Sequence, residues 1–371
     1  MKQIISAFIL IVAVIIATPA AFVSCTDVAG NGVDSVYYSG STLAQDSSYR
    51  NPVWEPDLEL GAVFAGPSNY IAIGSETQWA TGLTYCAPTL LSTDLMSWTF
   101  NSNTAFNLLP DTIVSGTDTT IYVRPKWAEG RLHSITAGFA KTIPTTSYWL
   151  FYQLGDTQAI GVSCAKAPQG PYLDFGKLLD TSNTGSTKIK DPFFYIVGTK
   201  FYLMYSTEGG SFAQVITLKK STLPVLKGTP IKLSGATFTD VAIVKKGTYF
   251  YLFGTVANGE NTEIRYGRSL SAEGPFVDKD GNNLLTGNGT ILIQSGDQLI
   301  NPQNVCGLFS DATNMDFILY NATDKANTTL KNGFNRRPLL LNALKATADG
   351  WFDGVVTPVK GWTLPKFTTT I

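Results

Sequence analysis

The side chains equipped for chemistry in this sequence are carboxylates. A single histidine, His133, and four cysteines (Cys25, Cys86, Cys164 and Cys306) with no Cys-x-x-Cys pair argue against a zinc centre or a Ser-His-Asp relay. What remains is acid and base work, which needs two carboxyl groups held in different protonation states. Three aspartates stand where the chain turns: Asp57, closing Asn51-Pro-Val-Trp-Glu-Pro-Asp57 just after Trp54; Asp191, ahead of Pro192; and Asp240, between Thr239 and an apolar run. Glu55, Glu59 and Glu208 are the nearby competitors.

Elements that could hold such groups must be built from short strands. The 371 residues are 44% hydrophobic, 12% aromatic and only 15% charged, with 34 Gly and 18 Pro, a balance that suits strands joined by tight turns. A net charge of -1 lacks the basic footprint of a nucleic-acid or anionic-membrane partner. A turn followed by an aromatic-rich run recurs at Pro67–Ile73, Thr145–Tyr152, Gly198–Tyr205 and Gly247–Phe253, with a weaker copy at Ala312–Tyr320. Each run suits a strand packed on both faces. A second repeat pairs Ala167-Pro-Gln-Gly-Pro-Tyr-Leu-Asp174 with Ser271-Ala-Glu-Gly-Pro-Phe-Val-Asp278. A β-sandwich accounts for short strands but not for this recurrence; five copies predict an all-β, five-bladed β-propeller.

The N-terminus has Lys2, an apolar run over Ile4–Ala17 and then small residues, the order of a secretory leader and short of the about 20 residues a bilayer span needs. The expected division is a leader over residues 1–25 and one propeller domain over 26–371, secreted and free of the membrane after cleavage. Three sequons, at Asn288, Asn321 and Asn327, fit a glycoprotein of that pathway.

Residues 51–57 resemble the opening segment of glycoside hydrolase family 43. Ser92-Thr-Asp-Leu-Met-Ser-Trp98 is similar to that family's Ser-x-Asp-Leu-x-x-Trp blade edge, Asp191-Pro192 to the Asp-Pro that opens its third blade, and Arg336-Arg337 with Asp349-Gly-Trp351 to its closing blade. The resemblance implies a five-bladed propeller that cleaves arabinose- or xylose-containing polysaccharide with inversion, Asp57 serving as general base and Asp191 orienting the acid and raising its pKa. Inversion requires one carboxylate to activate a water and one protonated carboxyl to protonate the leaving oxygen. Where the family places a glutamate as acid this chain has Thr239-Asp240, so Asp240 takes the role, with Glu208 as the alternative. The resemblance also implies that Arg337 reaches a sugar hydroxyl and the modulating aspartate, that Trp54 stacks on a sugar face, and that Gln303 stands where relatives carry a channel histidine. No cofactor is required by this reading; the channel is expected to hold water or calcium. The expected partner is a polysaccharide or oligosaccharide, met by a monomer. The competing reading is an inactive, carbohydrate-binding propeller.

Overall fold

The computed structural model describes residues 49–367, apart from 50, 81–82, 108–110, 116–117, 123–124, 126, 129–130, 143–144, 156–158, 220–221, 331–332 and 357–364. The leader, its cleavage site and Cys25 lie outside the described residues.

Five four-stranded antiparallel sheets follow one another along the chain. Blade 1 runs from Ala62–Ala65 through Tyr70–Ile73 and Thr89–Ser92 to Thr99–Ser102; blade 2 starts with Leu132–Thr142 and ends with Leu173–Asp180. Blade 3 spans Lys190–Val197 to Val225–Ser234, blade 4 Thr239–Lys246 to Thr290–Ile293, and blade 5 Leu299–Ser310 to Phe352–Val356. The innermost strand of each blade touches that of the next, and blade 5 returns to blade 1. This is the five-bladed β-propeller expected from the repeats.

All five repeated runs fall on second strands: Tyr70–Ile73, Thr145–Leu154, Lys200–Thr207, Tyr249–Asn258 and Asp316–Asp324. A second strand lies between sheet neighbours and between adjacent blades, so both faces are enclosed. Trp149, Leu150, Phe151 and Tyr152 are accordingly all buried, as are Leu203, Met204, Leu252 and Phe253. Packed at about 25 cal/mol per Å² of apolar surface removed from water, these strands hold adjacent blades together.

One further expectation changes with the structure. Asn321 is fully buried, and its amide donates to Pro338 O while accepting from Asn304; it has no exposure for a glycan, whereas Asn288 and Asn327 are exposed. Among the described residues, Cys164 and Cys306 form no disulfide.

Candidate active site

Each inner strand has near its start a residue with left-handed backbone: Leu60 (φ 48°), Ser134 (36°), Asp191 (54°), Asp240 (47°) and, in blade 5, Asn304 (49°) preceded by a second at Asn301 (54°). In blades 3, 4 and 5 the ladder register slips across this residue, the signature of a bulge that re-aims a side chain. The five positions are equivalent, and hydrogen bonds pass between them around the axis. Ile135 N donates to Leu60 O (2.9 Å), Ser134 Oγ to Asp191 Oδ1 (3.3 Å) and Asp240 N to Asp191 Oδ2 (3.2 Å). Asn304 N donates to Thr255 Oγ1 (3.0 Å), and Asn304 Nδ2 to Gly61 O (3.1 Å), closing the circle. Left-handed backbone costs little at Asp and Asn but more at leucine, so Leu60 is the strained member.

The ring encloses a cavity of ≈ 20 Å³ at the mouth of the channel. Asp191 and Asp240 share it. Burial, followed by repulsion from Asp191, pushes the Asp240 carboxyl up to about 7, against the pull of Lys190. Lys190 Nζ lies 3.2 Å from Asp191 Oδ2, and Asp191 N donates to Gln153 Oε1, so Asp191 is fixed in place beside Asp240, whose carboxyl is pushed towards the protonated form. Such a pair separates two carboxyls by environment.

Asp57 stands outside the ring. It lines a second cavity of ≈ 300 Å³ with Glu76, Thr77, Arg131, Phe334 and Arg337; the two spaces have no lining residue in common, but segments 57–61 and 131–135 contribute residues to both. Asp57 is 2% exposed; its Oδ2 accepts from Thr77 Oγ1 (2.6 Å) and its Oδ1 from Glu59 N (3.0 Å). Burial raises its pKa, opposed first by Arg337 and then by the Thr77 hydrogen bond. Arg337 Nε lies 3.6 Å from Asp57 Oδ1, and Arg337 Nη1 is ion-paired with Glu59, which Arg131 also reaches at 3.3 Å.

Several proposed contacts are therefore corrected. Arg337 pairs with Asp57 and Glu59 rather than with Asp191, because the chain before blade 5's third strand runs beside residues 53–58. Trp54 is 1% exposed and packs against Trp79 at 5.7 Å; an enclosed ring has no face for a sugar, and the half-exposed aromatic in the cavity is Phe334. The fifth ring position is Asn304, while Gln303 sits opposite Asn321 in the ladder. Glu208 is no substitute acid: its carboxylate accepts from Thr187 N and Lys188 N at 3.0 and 3.2 Å.

Calcium needs six to eight oxygen ligands. Here Asp191 is already paired with Lys190, and the described residues contain no cluster of three acidic, histidine or cysteine side chains suited to a metal. The residues do not fit calcium, and a space of this size suits a single water.

Nothing in local spacing marks Thr77, Arg131 and Ser134, which segments distant in sequence bring together, whereas Glu59 stood among the competing carboxylates. Comparison with known proteins adds a family. Residues 49–352 match the family described as glycosyl hydrolases family 43. An extracellular endo-alpha-(1->5)-L-arabinanase 1 of Bacillus subtilis (strain 168) is 29% identical over 227 residues, 55% of this chain and 64% of that protein. An arabinan endo-1,5-alpha-L-arabinosidase A of Aspergillus aculeatus is 26% identical over 48% of this chain and 61% of its own length. The chain thus spans somewhat less than two thirds of these relatives. In fold, it is similar to a Cellvibrio cellulosa alpha-L-arabinanase complexed with arabinohexaose, with TM-score 0.63 and 17% identity over 81% of this chain and 96% of that one.

Proposed function

Because the chain belongs to glycosyl hydrolase family 43, we propose that it is a secreted glycosidase that cleaves arabinan, or a related arabinose-containing polysaccharide, with inversion. The observation that carries the reading is the Asp191–Asp240 pair on the channel ring. A half-buried carboxyl pushed up to about 7 beside an Asp191 that is salt-bridged to Lys190 is poised to protonate a leaving oxygen near neutral pH. Asp240 is the acid in this reading, and Asp191 positions it and raises its pKa. Asp57 is the base, taking a proton from a water in the 300 Å³ cavity while Arg337 and Thr77 stabilise its charged form. Phe334 and Arg131 would meet the sugar bound there. The names of the Bacillus and Aspergillus relatives, and the arabinohexaose in the Cellvibrio structure, support arabinan as substrate. Secretion is supported by the apolar N-terminal run and by the extracellular Bacillus relative.

A second reading, a carbohydrate-binding propeller without turnover, is favoured by one feature: the blade-1 position equivalent to Asp191 and Asp240 is Leu60, and Asp57 lies three residues before it. The test is incubation of the purified protein with linear arabinan, arabinoxylan and nitrophenyl glycosides, following the anomer released by NMR. Release of the inverted anomer, abolished in Asp57→Asn and Asp240→Asn, is the expected outcome. Release unchanged in either variant overturns the assigned roles, and binding without release establishes the second reading.

A further inference from the structure

Blades of a propeller fan outward, so the space between neighbours widens towards the rim and has to be filled. Four of the five blades fill it alike, with an aromatic from the segment between their third and fourth strands. Trp98 of blade 1 packs in one core with Phe317 and Leu341 of blade 5, and Tyr172 of blade 2 with Ile71 and Ile73 of blade 1. Phe276 of blade 4 packs with Tyr195 and Met204 of blade 3, and Trp351 of blade 5 lies 5.7 Å from Tyr266 of blade 4. The Gly-Pro-aromatic repeats at Tyr172 and Phe276 are two of these plugs.

Blade 3 has none. Its corresponding segment reads Leu218-Lys-Lys-Ser-Thr-Leu-Pro224, without an aromatic, and between blades 2 and 3 there is an open groove of ≈ 510 Å³. Phe212 and Leu226 form apolar walls, and Gln214, Thr207, Asn183 and Ser186 supply amides and hydroxyls. None of the described residues lining it is charged. An apolar wall bordered by neutral hydrogen-bonding groups matches a sugar ring, which has an apolar face and a hydroxyl rim, and suits neither a charged ligand nor a purely apolar one.

One end of the groove lies on the same end of blade 3 as the site. Thr207 lies at the end of blade 3 that carries Asp191, since Lys190 pairs with Ser206. From Ser186 to Asp191 is five residues, at most about 18 Å of chain, and that link is pinned by the Glu208 carboxylate on Thr187 N and Lys188 N.

We infer that the unplugged groove between blades 2 and 3 is a second glycan-binding site, which holds a neutral polysaccharide chain while the channel mouth works on it. The inference rests on the proposed hydrolysis of a neutral polymer. Two attachment points raise the effective concentration of substrate at the channel, so the groove matters for polymer and not for short substrates.

The test is Val225→Trp, which supplies the missing aromatic from a half-exposed wall position, alongside Gln214→Ala. With melting temperature and circular dichroism retained, either variant is expected to lose about tenfold in kcat/KM on linear arabinan while staying within about twofold on arabinotriose. Polymer and trimer rates both unchanged, or both falling equally, overturn the inference. Should the wild type hydrolyse neither substrate, the proposed function fails on its own, and retardation in arabinan-containing native gels decides the groove: wild-type retardation lost in Val225→Trp supports it, and equal or absent retardation rejects it.

Discussion

Asp240 joins two properties that sequence could not join: it is a carboxyl one methylene shorter than the family's acid, and it is bonded through its backbone to Asp191 Oδ2. Its pKa is raised above the unfolded value of about 3.9, so the sign follows. Its contribution to stability is fully present below about pH 4 and is lost as pH rises through about 7. Asp240→Asn should therefore match the wild type in melting temperature at pH 4 and exceed it by a few degrees at pH 8, while turnover falls by roughly 10²–10⁴. A variant equally stable, or less so, at pH 8 would mean that the buried charge carries no penalty. Asp191→Asn removes the repulsion that raises Asp240, so the alkaline limb of the rate profile should move to lower pH. A limb that stays in place would show that Asp191 does not tune it. Asp191 and Asp240 were legible only through the family resemblance, which matches Asp-Pro to a blade opening and places the acid at Thr239-Asp240. Lys190, the preceding residue, was visible as a charge that could neutralise Asp191, whereas Ser134 and Gln153, which reach Asp191 by packing, were not. Trp54 was misread because an aromatic's type does not reveal whether its face is covered.

The second strands were the most legible elements, since a run enclosed on both faces must be continuously apolar and aromatic. The bulges that aim the ring residues were not legible, because a register slip is a property of two strands paired at a distance. Close packing of these elements is testable at Gly161, in the third strand of blade 2. A Cβ there would lie 2.3 to 2.5 Å from the ring of Tyr152, which is fully buried and hydrogen-bonded to Asp174. Gly161→Ala must displace that ring and should cost about 1–3 kcal/mol, read as a lower midpoint in denaturant. An unchanged midpoint would show that the blade interface is slack enough to absorb a methyl group. The absence of an aromatic in 218–224 was equally visible in sequence, yet it acquired meaning only when the other four plugs were seen to occupy equivalent gaps.

At the scale of the whole molecule, a ring of blades must be closed, and closure here uses chain from outside the blades. Val53 N donates to Leu339 O and Leu339 N to Trp54 O, while Leu58 N donates to Arg337 O. Asn51 extends this pairing with its side chain. Its Oδ1 accepts from Leu341 N (2.9 Å) and its Nδ2 donates to Leu341 O (2.8 Å), so the amide imitates one more residue of strand. The same two segments carry Asp57 and Arg337, 3.6 Å apart, so the seam that closes the propeller also sets one wall of the site. Asn51 Nδ2 also donates to Asn342 Oδ1 (3.1 Å), so Asn51→Ala deletes three hydrogen bonds worth about 1 kcal/mol each and should lower the melting temperature by about 6 °C in calorimetry. Since the seam loosens first, thermal loss of activity in this variant should precede the main unfolding transition, whereas in the wild type the two should coincide. Activity that tracks global unfolding in both proteins would mean that the seam holds Asp57 in place without Asn51, and that closure and catalysis are separately supported.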